Sequence, residues 1–210
     1  MKKLSPEACH KYWTETVNDI SSLNHPIFYA AKPKTILDFL IQFWSSYTSK
    51  TDNILEIGCN CGINLNYLYE KGYKNLSGIE INKTAIKEME RLYPTTYLNT
   101  NIYIGCIEDV TETILDKTYD TTFSMAVLMH IHPQNIKQVF TELKRITKKY
   151  IVTIENENSV ISNVTFIRNY KKEFEKIGLT ELKSIILSEC IIPNINTEYR
   201  GYTARLFEVI

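Results

Sequence analysis

Short apolar runs alternate with amphipathic stretches along most of this 210-residue chain. The first run is Asn53 to Ile57, ended by Gly58. From about Gly62 to Lys71, Ile63, Leu65, Tyr67 and Leu68 give a helix an apolar side. The pattern then predicts a strand over 76–80, a helix over 84–93 closed by Pro94, and strands over 102–105 and 121–127. A helix over 134–147, a strand over 150–154 and a helix over 170–177 stopped by Gly178 follow, with two last strands at 182–187 and 202–209. Upstream of all these, Ser5 and Pro6 make a helix start, 24–29 reads as a bend with exposed aromatics, and Ile36, Leu37, Leu40, Ile41 and Trp44 form one stripe of a second helix. Strands alternating with helices are the mark of a parallel sheet with right-handed crossovers. The last two strands have no room for a crossover helix between them and predict an antiparallel addition at one edge. The expected class is therefore α/β, mostly parallel with an antiparallel C-terminal edge strand and helices on both faces.

Composition narrows the function more than the fold. Lys+Arg and Asp+Glu both number 24, so the formal net charge is zero. Proteins that wrap phosphate backbone carry a basic excess, which sets nucleic acid aside as the expected partner. No apolar run approaches the roughly 18 residues of a membrane-spanning helix. The basic start at Lys2 and Lys3 has no apolar stretch behind it, so the expected location is cytoplasmic. Five cysteines (Cys9, Cys59, Cys61, Cys106 and Cys190) are an odd, scattered set, which argues against a disulfide framework. Cys59 and Cys61 lack the spacing and second ligand pair of a zinc site, and no metal is expected. With no repeat or linker, one domain over 1–210 is expected: a helical cap over 1–50, a core over 51–160 and a C-terminal part over 161–210.

The chemistry concentrates in the loop after the first strand. Gly58 and Gly62 bracket a turn that brings main-chain N–H groups toward a ligand. A dinucleotide fingerprint needs a glycine where Asn60 stands. Glu56, just before the loop, repels a pyrophosphate and attracts a cation. Glu80, at the end of the next strand, stands where a carboxylate accepts ribose hydroxyls. A ligand with an ammonium head and a nucleoside tail is S-adenosylmethionine. On Leu55 to Gly62, Gly78 to Asn82 and Phe123 to Pro133, the chain resembles the class I S-adenosylmethionine-dependent methyltransferases, well over about 50–160 and loosely elsewhere.

That resemblance implies a Rossmann-like methyltransferase sheet with an N-terminal helical lid, and it implies roles. Gly58, Asn60 and Gly62 would line the methionine end, with Glu56 holding the loop or meeting the ammonium. Glu80 would take the ribose and Ile81 would pack on the adenine. Cys59, Asn64 and Met125 join the implied cofactor set. Many relatives carry Asp where Cys106 stands, so the adenine contact passes to the Ile107 N–H, or to Glu108 or Asp109. Part of the pattern, including Val127 to Phe140 and Arg168 to Phe174, resembles bacterial methyltransferases of small metabolites, among them a group associated with surface-sugar and pseudaminic acid biosynthesis.

A hydroxyl acceptor needs its proton removed, and His130 and His132 stand at the cleft edge for that task. Because they alternate, one faces the pocket; the other reading of His130 is a brace for the loop. Glu155, at a strand end, is the third catalytic candidate, and Tyr12, Tyr29 and Arg168 are candidates for acceptor binding. Trp13 and Phe28 are expected in the core. The function expected is methyl transfer to oxygen or nitrogen of a small molecule, with a sugar or nucleotide-sugar among the candidate acceptors. A non-catalytic S-adenosylmethionine-binding module, or a nicotinamide oxidoreductase, are the alternatives.

Overall fold

A computed structural model describes residues 2–158, 162–195 and 199–210. An N-terminal cap holds α1 (Pro6–Thr14), the single turn α2 (Pro26–Tyr29) and α3 (Lys34–Trp44). Ser5 caps α1 by accepting from the Ala8 N–H, with Pro6 at the first helical position. The core then runs β1 (Ile54–Ile57), α4 (Ile63–Glu70), β2 (Leu76–Glu80), α5 (Lys83–Leu92), α6 (Pro94–Leu98), β3 (Thr100–Ile104), α7 (Ile107–Thr113), β4 (Tyr119–Met125), α8 (Ile136–Ile146), β5 (Thr147–Glu155), α9 (Tyr170–Lys176), β6 (Leu179–Ile186) and β7 (Thr203–Val209).

The seven strands form one sheet in the order β3-β2-β1-β4-β5-β7-β6. Neighbours from β3 to β5 pair in parallel, while β7 runs antiparallel to both β5 and β6. The antiparallel addition is thus β7, inserted between β5 and the edge strand β6. Central strands are buried on both faces, as a sheet covered by helices on each side demands. Ile54 and Phe123 face α3, where Trp44 packs edge-on to Phe123 with ring centres 5.0 Å apart. Leu55 and Ile57 point the other way, into a cluster with Phe140 of α8 and Phe174 of α9.

Three elements differ from expectation. Pro94 was expected only to close a helix; it also opens α6, because a proline is favourable at a first helical position. Helix α7 gives little apolar signal, but Glu108 and Asp109 suit its first turn through the helix dipole. Strand β5 starts at Thr147 with no loop after α8. The Thr147 hydroxyl bonds to the Leu143 carbonyl and to Thr122 of β4, which ends the helix and starts the strand at one residue.

Strand order reverses between β1 and β4, and the crevice beyond the strand C-termini opens there. The loops after β1, β2, β3 and β4 converge on it, and the cap lies across it.

Candidate active site

The loop after β1 is wound tightly. Gly58, Asn60 and Gly62 all adopt positive φ, at 68°, 48° and 75°. The glycines are needed for more than the turn: a Cβ on Gly58 would lie 2.5 Å from a Val127 methyl, and one on Gly62 2.5 Å from the Met89 sulfur. The β1 loop is therefore packed directly against the β4 exit and α5. Asn60 suits the left-handed position, and its Oδ1 accepts from the Cys61 N–H at 2.7 Å.

Two buried acids flank the loop. Glu80 Oε2 accepts from the Asn60 N–H and Oε1 from the Asn82 N–H, both at 2.8 Å. Burial raises its carboxyl above the usual range against the pull of these donors. Glu56 Oε1 accepts from Asn64 Nδ2, while Oε2 is buried without a partner. Burial pushes Glu56 up to about 8, with Lys32 the largest opposing influence. Lys32 reaches in from the cap, donating to Asn64 Oδ1 at 3.2 Å, so Asn64 stands between the ammonium and the acid.

Both acids line a cleft of about 1040 Å³, mouth included. Gly58, Cys59, Asn60, Asn64, Ile81, Ile107, Glu108 and Met125, all expected at the cofactor site, also line it, whereas Gly62 is outside the lining and shapes the loop. At the far end, Glu108 Oε1 accepts from Asn135 Nδ2 at 2.7 Å, and its Oε2 is buried without a partner.

His130 and His132 line the opposite wall. His130 Nδ1 lies 2.8 Å from the Val164 carbonyl, so that nitrogen carries the proton and Nε2 is the acceptor. Burial pushes His130 down to about 4, and the Arg168 charge adds to the effect. Trp13 tilts over its ring at 4.6 Å. His132 accepts from the Gln134 N–H and packs edge-on to Phe166.

Other candidates are placed elsewhere. Glu155 does not line the cleft; its carboxylate lies behind the β4 exit and accepts from the Val127, Leu128 and Met129 N–H groups and the Ser124 hydroxyl. Arg168 lies outside the cleft lining and donates to the main-chain carbonyls of Leu128, Phe166 and Ile131. Glu155 takes the N–H groups of the loop and Arg168 its carbonyls. Tyr12 also lies outside the lining, where its hydroxyl accepts from Asn24. Tyr29 does reach the cleft. Trp13, expected in the core, is a cleft wall, and Phe28 is half exposed.

His10, Lys32 and Tyr199, none of them marked by the sequence pattern, also line the cleft. They come from the cap and the β6–β7 connection, where no periodicity marks a side chain as facing a cavity.

The group implied by the sequence is S-adenosylmethionine, and the cleft fits it. It offers an unpartnered buried carboxylate oxygen at Glu56 for a cation, and a second acid beyond the left-handed loop. Residues 54–150 match the family described as "Methyltransferase domain". No curated protein matches the sequence significantly. Among solved structures, geranyl diphosphate C-methyltransferase from Streptomyces coelicolor A3(2), crystallised with Mg2+, geranyl diphosphate and S-adenosyl-L-homocysteine, superposes with a TM-score of 0.69 at 12% identity, covering 99% of this chain and 100% of that one. Magnesium protoporphyrin IX methyltransferase from Synechocystis PCC 6803, with bound S-adenosylhomocysteine, gives 0.68 at 12% identity, over 97% and 98%. A protein from Pyrococcus horikoshii OT3 gives 0.67 at 15%, over 95% and 96%. At such identities the structures establish the Rossmann-like fold. The match over residues 54–150 shows that the chain carries a methyltransferase domain and is an enzyme.

Proposed function

We propose that this enzyme methylates an oxygen or nitrogen of a small molecule that enters beside the cap. One observation carries the reading: Glu56 Oε2 and Glu108 Oε2, both buried and unpartnered, lie in one cleft with Glu80 between them in the chain. Burying such atoms without partners is unfavourable, so a ligand with matching donors has much to gain there.

In this reading the chain holds its cofactor through five residues. Glu56 meets the ammonium. Glu80 keeps one lone-pair direction on each oxygen for ribose hydroxyls, the other being taken by the Asn60 and Asn82 N–H groups. Ile81 and Ile107 clasp the adenine, and Glu108 accepts from its amino edge. When bound, S-adenosylmethionine supplies a methyl group already activated on a sulfonium, so the protein's main task is alignment.

The remaining wall fits a small acceptor. Trp13 and Tyr29 offer aromatic faces suited to a sugar ring or other flat surface. His132, whose Nδ1 accepts from the Gln134 N–H, carries its proton on Nε2 and can donate a hydrogen bond to an acceptor oxygen at the cleft edge. His130, its tautomer set by Val164 and its pKa near 4, is suited to accept a hydrogen bond at Nε2 rather than to remove a proton. The five free cysteines suit a reducing compartment, in keeping with a cytoplasmic enzyme.

The test is to incubate purified protein with methyl-labelled cofactor and a fractionated metabolite extract. Label should appear in a small-molecule fraction, and His132→Ala should slow its appearance. Label confined to protein or nucleic acid would overturn the reading.

A further inference from the structure

Helix α1 meets the core at three residues with metal-binding chemistry. His10 Nε2 lies 3.3 Å from Glu108 Oε1, and the ligand atoms of His10, Cys106 and Glu108 all fall within 4.8 Å of one another. A nitrogen and an oxygen each about 2.0–2.1 Å from a tetrahedral zinc ion stand about 3.3 Å apart. The same spacing is slightly long for an ordinary hydrogen bond. The second Glu108 oxygen is buried without a partner, and the side chain is only 9% exposed. Asn135, donating to Oε1, fixes the carboxylate's orientation, as carboxylates that hold metals are commonly fixed.

The geometry points to a site for a borderline divalent cation, zinc in chemistry, held by His10 Nε2, Cys106 Sγ and Glu108 when the adenine end of the cleft is vacant. Imidazole, thiolate and carboxylate together favour zinc over magnesium or calcium. Cys106 has only to rotate from Asp109, to which its thiol donates at 3.0 Å. Binding releases the thiol proton and pins α1 to the β3–α7 junction. All three ligands line the same cleft as Ile81 and Ile107, so cation and adenine compete for Glu108. That competition rests on the proposed cofactor contacts; the cation site does not.

Cobalt(II) titrated into the cofactor-free full-length protein gives a direct readout. A thiolate-to-cobalt absorption band is expected, displaced by zinc, absent in Cys106→Ser and retained in Cys190→Ser. His10→Ala, at a half-exposed position, should weaken cobalt at least tenfold while leaving the circular dichroism unchanged. No band in the native protein, or a band that survives Cys106→Ser, overturns the site. Saturating S-adenosylhomocysteine should weaken cobalt at least tenfold; unchanged cobalt affinity in the presence of calorimetrically bound S-adenosylhomocysteine overturns the shared position. If S-adenosylhomocysteine does not bind, the cofactor contacts fail, and the Cys106→Ser comparison still decides the cation site.

Discussion

The Asn60 main-chain N–H donates to Glu80 Oε2 at 2.8 Å, joining the turn after β1 to the acid after β2. Glu80 has two tasks in consequence: it keeps the left-handed loop closed, and it offers its remaining lone pairs to the cleft.

Glu80→Ala should therefore cost more than a ribose contact. Hydrogen bonds to charged groups contribute about 1.5–3 kcal/mol each, so loss of the carboxylate should weaken S-adenosylhomocysteine at least a hundredfold. Glu80→Gln, which can still accept one N–H, should fall between this variant and the native protein. Isothermal calorimetry checks both, and an unchanged affinity for Glu80→Ala would remove Glu80 from the binding site.

Glu56 makes binding depend on pH. Its pKa of about 8 leaves it largely protonated at pH 7 in the free protein, whereas a cationic ligand group calls for the carboxylate. Affinity for S-adenosylhomocysteine should rise with pH up to about 8, and binding at pH 7 should release close to one proton. Calorimetry in buffers of different ionisation enthalpy reads that proton. Glu56→Gln should abolish the dependence. Lys32→Met removes the charge that most opposes the burial effect and should move the midpoint upward.

The same acid affects stability. A carboxyl whose folded pKa lies above its unfolded value binds more protons when folded, so its contribution is full below about 4.5 and fades as pH rises toward 8. Glu155, raised by burial to about 7, acts with the same sign. His130, depressed to about 4, acts oppositely, but only below its ordinary value of 6.5. Between pH 6.5 and 8 the acids dominate, and the melting temperature of the ligand-free protein should fall. Glu56→Gln should flatten the slope across that window.

Glu155 anchors the β4 exit. Glu155→Ala leaves three main-chain N–H groups and the Ser124 hydroxyl without their acceptor, each loss being worth about 1–3 kcal/mol. We expect a destabilisation above ~3 kcal/mol in denaturant unfolding, where breaking a buried charged network falls. Glu155→Gln keeps an acceptor and should lose less. Equal losses in the two variants would show that packing, not hydrogen bonding, is what Glu155 provides.

Much of the fold was legible because its strands are short, apolar and punctuated. Ile54 to Ile57 ending at Gly58, and Leu76 to Glu80, give their positions away by composition alone. Because the crevice of such a sheet lies at the strand ends, Glu56, Asn60 and Glu80 were legible as cleft residues too. The short helices α6 and α7 were hidden, since Thr95, Thr96, Thr111 and Thr113 supply little helical periodicity.

Sequence by itself determined the sheet, the loop after β1 and the acids beside it, because local spacing dictates each of them. Tertiary structure alone decided what closes the cleft and which polar groups remain for a ligand. Glu155 and Arg168 look like site residues in the chain, yet both lie outside the cleft lining and bond to the main chain of the β4 exit. His10, Trp13 and Lys32 look like ordinary cap residues, yet they line the cleft. The physical reason is that a hydrogen bond is claimed by whichever partner the fold brings within about 3 Å, and that distance is not written in sequence separation.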